Sequence, residues 1–385
     1  MFEWIIIGGG IHGCTVATYL VKKRKVSIEK ICVIDPYPEP LYKWKKLTGL
    51  IDMPFLRSPF VHHIDIHPFS LQSFKKDGGE LFFGPYKRPA LSLFNQHSHA
   101  VLEEIDLYKA WHQGLVEHVE KEVDGWVVKT SNSECFNGKN LVIATGMNNR
   151  LAYPSWASEL ISARPNQVGH VFAESLPQMK PPFVVIGGGI SAAHLVIKLS
   201  KEFPGQVYQV ARHPYRVNDF DSDPGWLGPK NMSGFEKLSR HDERRDVINQ
   251  ARHKGSMPRE LANKLRNLDR HHACTFIQDE IQSWELIEDE INLRLMKGNA
   301  DIKAGTILFA TGFSKDVMKV DWLQNLILKE KLSCAKCGFP VVNEDLSWCN
   351  HLFVTGPLAE LEIGPVSRNI SGARKAAERI VNHAI

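Results

Sequence analysis

Two short apolar runs, each closed by a glycine cluster, set the pattern of the chain. Ile5-Ile6-Ile7 followed by Gly8-Gly9-Gly10-Ile11-His12-Gly13 predicts a buried strand, a tight turn and a helix from about Gly13 to Lys23, with Val16, Ala17 and Leu20 facing a sheet. The run from Lys30 to Asp35 reads as the next buried parallel strand, ending in an acid. Leu141-Val142-Ile143-Ala144-Thr145-Gly146 is another strand ending in a glycine turn. The pattern then restarts. Phe183-Val184-Val185-Ile186 leads into Gly187-Gly188-Gly189-Ile190-Ser191-Ala192-Ala193, a helix to about Lys201 and a strand from Val207 to Val210; Ile307-Leu308-Phe309-Ala310-Thr311-Gly312 closes the unit. Residues 36–100 carry no such periodicity. They are rich in Pro, His, Phe and Trp, which suits an irregular segment lining a ligand.

The glycine spacing gives the repeat a chemistry. In Gly8-x-Gly10-x-x-Gly13 the first glycine permits the tight turn, the second lets the backbone approach a pyrophosphate, and the third lets helix and strand pack closely. The helix N-terminus adds a partial positive charge. Asp35 stands about 20 residues further on, at a strand end, where an acid would hold ribose hydroxyls. The second copy, Gly187-x-Gly189-x-x-Ala192, is an accepted variant in which the acid is missing. Arg212 and Arg216 follow its second strand and suit a 2′-phosphate, so this copy reads as a site for NADPH; two solvated arginines on a surface loop are the alternative. Two dinucleotide sites in one chain imply hydride transfer from nicotinamide to a flavin. The first site is then for FAD, enclosed by the N-terminal copy and the tail. The predicted fold is α/β with two Rossmann-like dinucleotide-binding domains: residues 1–165 and 314–385 form a discontinuous FAD domain, and residues 166–313 an inserted NADPH domain.

Composition narrows the picture. The chain has 385 residues, with 43% apolar and 23% charged positions and a net charge of +4, too small to argue for nucleic acid or a membrane surface. No apolar run of about 18 residues is free of glycine clusters, so no membrane span is expected. The chain opens directly on an apolar strand without a secretory pattern, and its seven cysteines mostly stand alone; both point to a reducing cytoplasm. A small-molecule substrate and O2 are the expected partners, and a homo-oligomer is left open.

With these motifs in place, the sequence resembles the two-dinucleotide flavoproteins, and more closely the group of class B flavin monooxygenases and lysine/ornithine N-hydroxylases. The matching pieces are Gly8–Gly13, Asp35, Leu56-Arg57-Ser58-Pro59, the two Ala-Thr-Gly turns, the second glycine motif and the tail Phe353–Pro357 with Gly364–Arg374. Of the FxGxxxHxxx(Y/F) pattern of class B enzymes, Gly169-His170-Val171-Phe172 is what remains. The resemblance implies an NADPH-dependent FAD oxidoreductase, a monooxygenase that oxygenates an amine or sulfur nucleophile through a C4a-peroxyflavin. The alternatives are a flavin reductase acting on a disulfide, quinone or protein acceptor, and a non-catalytic redox-sensing or binding protein that keeps both cofactors.

The candidate cofactor contacts follow. Around the first turn they are Gly8, Gly10, Ile11, His12, Gly13, Asp35 and Pro36, with His12 filling space against the cofactor. Trp44, Arg57, Ala144, Thr145 and Gly146 join them, Trp44 by packing on the flavin or else simply plugging the core, and Arg57 by holding a cofactor phosphate or stabilising reduced flavin. The second copy brings Gly187, Gly189, Ile190, Ser191, Arg212, Arg216, Thr311 and Gly312. From the tail come Gly356, Pro365, Asn369 and Ile370, where a helix starting near Asn369 would aim its N-terminus at the flavin pyrimidine edge. Arg57, His63 and Asn369 are the candidate catalytic residues, His63 as a hydrogen-bond donor in the pocket, with ordinary loop histidines as the alternative.

Three further clusters stand apart. Cys334-x-x-Cys337, with Cys349 and His351, is an inert loop pair, a structural zinc site or a catalytic disulfide, the first reading being favoured; no metal is otherwise expected. His62 and His63 are adjacent, so they point apart and do not share a metal. The segment His241 to His272 carries Arg244, Arg245, Arg252, Lys254, Arg259, Lys264, Arg266 and Arg270, and reads as a solvated helical face, with shaping the approach of NADPH as a second role.

Overall fold

The computed structural model describes the chain except residues 75–80, 147–149, 289, 299–300, 315–317 and 384–385, so part of the 36–100 segment lies outside the described residues. Its centre is two mainly parallel sheets that share no strand. The first has eight strands. Phe2–Ile7 lies between Ile31–Asp35 and Cys135–Ile143, pairing Ile5 with Cys32 on one side and with Leu141 on the other. Trp111–Gln113 extends it beyond Ile31–Asp35, and Leu352–Val354 joins it from the tail, setting Leu352 beside Leu141. Ile5, Ile6, Ile31 and Val33 are fully buried, as continuous apolar runs in a sheet covered on both faces must be. The helices Ile11–Lys22 and Ile370–His383 cover one face, with Leu20 and Ile380 in the same core.

The second sheet has five parallel strands, ordered Thr275–Gln278, Val207–Ala211, Phe183–Ile186, Thr306–Phe309 and Val168–His170. The register sets Val184 beside Tyr208 and Ile307. The helix Ile190–Glu202 packs on it through Ala193, Val196 and Leu199. A three-stranded antiparallel sheet, Ile281–Ile287, Glu290–Leu295 and Ile302–Ala304, leans on its other side through Ile291 and Leu293.

Two chain crossings join the halves, and they are zipped together: Ala152 N–H donates to Gly312 carbonyl at 3.0 Å, and Ser314 N–H to Arg150 carbonyl at 2.8 Å. The irregular segment departs from expectation. It contains helices at Tyr42–Leu50, Ser70–Ser73 and Leu91–Glu104, the last burying Leu93, Phe94, Val101 and Leu102. No helix among the described residues is long and apolar enough to cross a membrane.

Candidate active site

The same steric device builds both glycine turns. Gly8 holds φ +107°, and a Cβ there would lie 2.7 Å from the Ala144 carbonyl oxygen. Gly187 holds φ +147°, with a Cβ 2.6 Å from the Ala310 carbonyl oxygen. The Ala of each Ala-Thr-Gly sequence is therefore the floor on which the first glycine rests, which explains why the two motifs recur together. Gly13 completes the first turn: a Cβ there would come 1.8 Å from the Gly8 carbonyl oxygen. Ala192, buried at the third position of the second turn, keeps its methyl group. Beneath that turn, buried Gln209 donates to the Gly187 carbonyl at 3.0 Å and accepts from the Tyr215 hydroxyl at 2.9 Å.

Both turns open on one cleft of about 2120 Å3, lined from both halves. That is more than twice the usual 300–1,000 Å3 of a small-ligand site. Gly10, unlike its neighbours, would present a Cβ to nothing within 4 Å, so its backbone faces open cleft. Asp35 lines the same wall, its carboxylate accepting from Gly9 N–H at 2.6 Å and Tyr37 N–H at 3.0 Å. Burial raises its pKa, and these two donors oppose the rise. Ile11, His12, Pro36, Trp44, Ala144, Thr145 and Gly146 also line the cleft, and Trp44 Nε1 is fixed by Asn95 Oδ1 at 3.0 Å. From the second half come Gly187, Gly189, Ile190, Ser191, Thr311, Gly312 and the exposed Arg212 and Arg216. The Thr311 hydroxyl itself is committed to the Ala152 carbonyl at the crossing. Asn369 and Ile370, at the start of the last helix, reach the cleft, so the unsatisfied N–H groups of that helix begin there.

Several expected residues lie elsewhere. Gly356, Pro365 and Gly13 do not line the cleft; they shape the tail and the helix–strand contact behind it. Gly356 sits at φ +65° against His12, and its carbonyl accepts from Ser367 Oγ at 2.6 Å. His63 is fully buried, its ring nitrogens taken by the Pro68 carbonyl at 3.1 Å and Asp65 N–H at 3.2 Å, and it does not face the cleft. Of the adjacent pair it is His62 that lines the cleft, its pKa lowered to about 4 by burial and by nearby Arg374, which leaves a neutral imidazole there. Adjacent residues do point apart here, and the buried member is the one expected to act.

Arg57 reaches the cleft, but its guanidinium is spent as a clamp between the halves. It donates to Asp221 Oδ1 at 2.7 Å, to the carbonyls of Asn218, Asp219 and Phe220, and to Ser256 Oγ at 2.9 Å. The expected phosphate contact is thereby corrected to a structural one. The basic segment is corrected too. It forms the helices His241–Ala251 and Arg259–Arg270, and two of its arginines turn inward onto the tail. Arg244 donates to Glu362 at 2.6 Å and to the Leu361 carbonyl at 3.0 Å, and Arg245 pairs with the buried Glu360. Among the described residues no three His, Cys, Asp or Glu side chains converge as a metal site, so Cys334, Cys337 and Cys349 do not form the zinc alternative. All seven cysteines are free, and none lines the cleft among the described residues.

Two glycine-turn halves facing one cleft define a dinucleotide-binding redox fold. The family model for pyridine nucleotide-disulphide oxidoreductases matches residues 5–258, and the chain belongs to that family of oxidoreductases. A sequence comparison with curated proteins finds no match. Solved structures share the fold. The cadaverine monooxygenase DfoA of Erwinia amylovora, bound to FAD, is 16% identical, with 99% of this chain and 94% of that chain covered at a TM-score of 0.75. The ornithine N-hydroxylase KtzI of Kutzneria sp. 744, with reduced FAD, NADP+ and L-ornithine, is 16% identical over 99% and 98% of the two chains, TM-score 0.73. The bacillithiol disulfide reductase Bdr of Staphylococcus aureus is 16% identical over 100% and 99%, TM-score 0.61.

Proposed function

We propose that the protein is an NADPH-dependent FAD monooxygenase that oxygenates a small soft nucleophile, an amine or a sulfur compound. FAD would lie on the Gly8–Gly13 turn within residues 1–165 and 314–385, and NADPH on the Gly187–Ala192 turn within residues 166–313. The observation that carries the reading is that both glycine turns and the N-terminus of the last helix open on one cleft, where among the described residues no cysteine stands. A family member working on a disulfide through its own thiols would need a pair beside the flavin; here Cys334 and Cys337 are exposed elsewhere.

The residues fit the cofactors. Gly10 leaves backbone open to a pyrophosphate, Asp35 has a carboxylate for ribose hydroxyls, and Arg212 and Arg216 offer guanidinium groups to a 2′-phosphate. Bound there, FAD supplies acceptance of hydride from nicotinamide and the activation of O2. The chain's own part is to bind, orient and exclude water. The N–H groups opening the Ile370–His383 helix favour negative charge at the cleft wall. Trp44, pinned by Asn95, gives that wall a rigid apolar face. His62, held neutral, has one ring nitrogen to donate and one to accept a hydrogen bond at the substrate.

The test is stoichiometry. Purified FAD-loaded protein, supplied with NADPH and a panel of primary amines and thioethers, is expected to consume one O2 per NADPH and to release an oxygenated product. Hydrogen peroxide as the sole product with every compound, together with rapid NADPH oxidation when a disulfide or quinone is added, would put the reductase reading in its place.

A further inference from the structure

One wall of the cleft carries more positive charge than the protein neutralises. Arg252 lines the cleft just after the His241–Ala251 helix, its backbone bridged to Ser222. Its Nη1 is buried and has no hydrogen-bond partner among the described residues. The charged groups around it are Arg368, Arg245, Asp221 and Glu360. Both carboxylates are already engaged. Asp221 is held by Arg57, and Glu360 takes Arg368 through Nε at 2.6 Å and Nη2 at 2.8 Å, and Arg245 on the same side chain. Four guanidinium groups thus surround two carboxylates, and among the described residues Arg252 is the one of the four left without a carboxylate. A guanidinium cannot relieve burial by losing its proton, so the remaining relief is an anion.

Position says which part of the cleft this is. Three residues further on, the Gly255 Cα lies 3.5 Å from where a Cβ on Gly189 would be, which puts this segment against the second glycine turn. Arg368, held by Glu360, immediately precedes Asn369 at the start of the last helix and also lines the cleft. Arg252 therefore stands between the nucleotide turn and the tail. We propose that Arg252, backed by Arg368, is a binding site for one oxyanion inside the cleft, either a carboxylate on the substrate or the phosphate bridge of the nicotinamide nucleotide. The assignment rests on reading the cleft as a two-dinucleotide redox site. It adds a side-chain contact for an oxyanion beyond the backbone groups that the glycine turns supply.

The probes are inorganic pyrophosphate and acetate, titrated separately into FAD-loaded protein at matched ionic strength with chloride as control, following Tm. A ligand that binds the folded state raises Tm saturably, whereas screening does not depend on the anion chosen. At least one probe is expected to give a saturable rise, weakened about tenfold in Arg252→Gln and less in Arg252→Lys, which keeps the charge but loses the fork. A phosphate bridge is indicated if pyrophosphate and NADP+ weaken together. A substrate carboxylate is indicated if acetate binds with NADP+ present and NADP+ affinity is unchanged. The proposal is overturned if neither anion raises Tm saturably in the unmodified protein, or if Arg252→Gln binds both within twofold. Should Arg252→Gln fail to hold FAD, the unmodified protein and Arg252→Lys decide. Colourless unmodified protein, or no bleaching of the flavin by NADPH, would instead count against the redox reading, and oxygen chemistry enters neither result.

Discussion

His12 Nδ1 lies 3.0 Å from Thr355 Oγ1, joining the first glycine turn to the tail across 343 residues of sequence. The same imidazole hydrogen-bonds the Arg368 backbone, so one side chain ties the turn to both arms of the tail. Burial lowers its pKa to about 4, more strongly than the Arg368 contact raises it. The ring is therefore neutral in the folded protein at pH values where it would protonate in the unfolded chain.

That difference sets an acid limit. His12, His62, His97, His170 and His194 are each lowered from 6.5 to about 4, in every case mainly by burial. A histidine with a depressed folded pKa favours the native state fully above 6.5, and that contribution fades as pH falls from 6.5 towards 4 because the unfolded chain binds the proton first. Tm of the FAD-loaded protein should fall steeply over that window. His12→Asn should flatten part of the fall, and an unchanged slope would show that His12 does not contribute.

Gly10→Val and Gly13→Ala should separate binding from folding. A Cβ at Gly10 meets no protein atom within 4 Å, so the variant should fold with a near-normal apoprotein Tm yet purify colourless. Gly13→Ala puts a methyl group 1.8 Å from the Gly8 carbonyl oxygen and should lower the yield of folded protein. Full FAD occupancy in Gly10→Val would remove the first turn from the flavin site.

Arg212→Ala should raise the KM for NADPH about tenfold or more and leave that for NADH nearly unchanged, since one charge-assisted contact with a phosphate contributes roughly 1.5–3 kcal/mol. Equal use of both nucleotides by the unmodified protein would contradict the 2′-phosphate assignment.

Arg57→Ala should destabilise the protein by about 1.5–3 kcal/mol, because it strands the half-buried carbonyls of Asn218 and Phe220 and the buried Ser256 hydroxyl at once. Asp221→Asn should cost only about 0–1 kcal/mol, its carboxylate being 44% exposed. Arg57→Lys should recover little, as an ammonium cannot span these acceptors. Denaturant midpoints check the ranking; equal losses for Arg57→Ala and Asp221→Asn would mean that the ion pair, rather than the carbonyl fork, is what matters.

What could be read beforehand was what consecutive residues encode. The strand, turn and helix of each unit need their glycines and apolar positions in one short stretch, so the α/β fold and the placement of Gly8, Gly10, Asp35, Gly187 and Asn369 were visible in the pattern. The rest depends on distant partners. Arg244 and Arg245 look like a solvated stripe because Glu362 and Glu360 lie 118 and 115 residues away. Nothing local says that Arg57 meets a loop 161 to 164 residues on rather than a phosphate. His62 and His63 differ by one position, and without a regular strand around them no periodicity tells which faces the cleft. The Leu91–Glu104 helix hid behind the polar run Asn95 to His99, whose His97 and Ser98 turn out to be buried.

The interleaving of the two sheets also dictates an order of events during synthesis. Every strand of the five-stranded sheet has been made once Phe309 has left the ribosome, whereas the eight-stranded sheet still waits for Leu352–Val354 and for the final helix that packs beside Ile11–Lys22. The half begun second is thus the half that can finish first, and for that interval the nascent chain must carry an incomplete sheet whose Leu141 and Val142 edge has no neighbour. Ribosome-bound chains stalled just after residue 340 should therefore show a protease-resistant fragment spanning residues 168–309, while residues 1–143 remain open to cleavage.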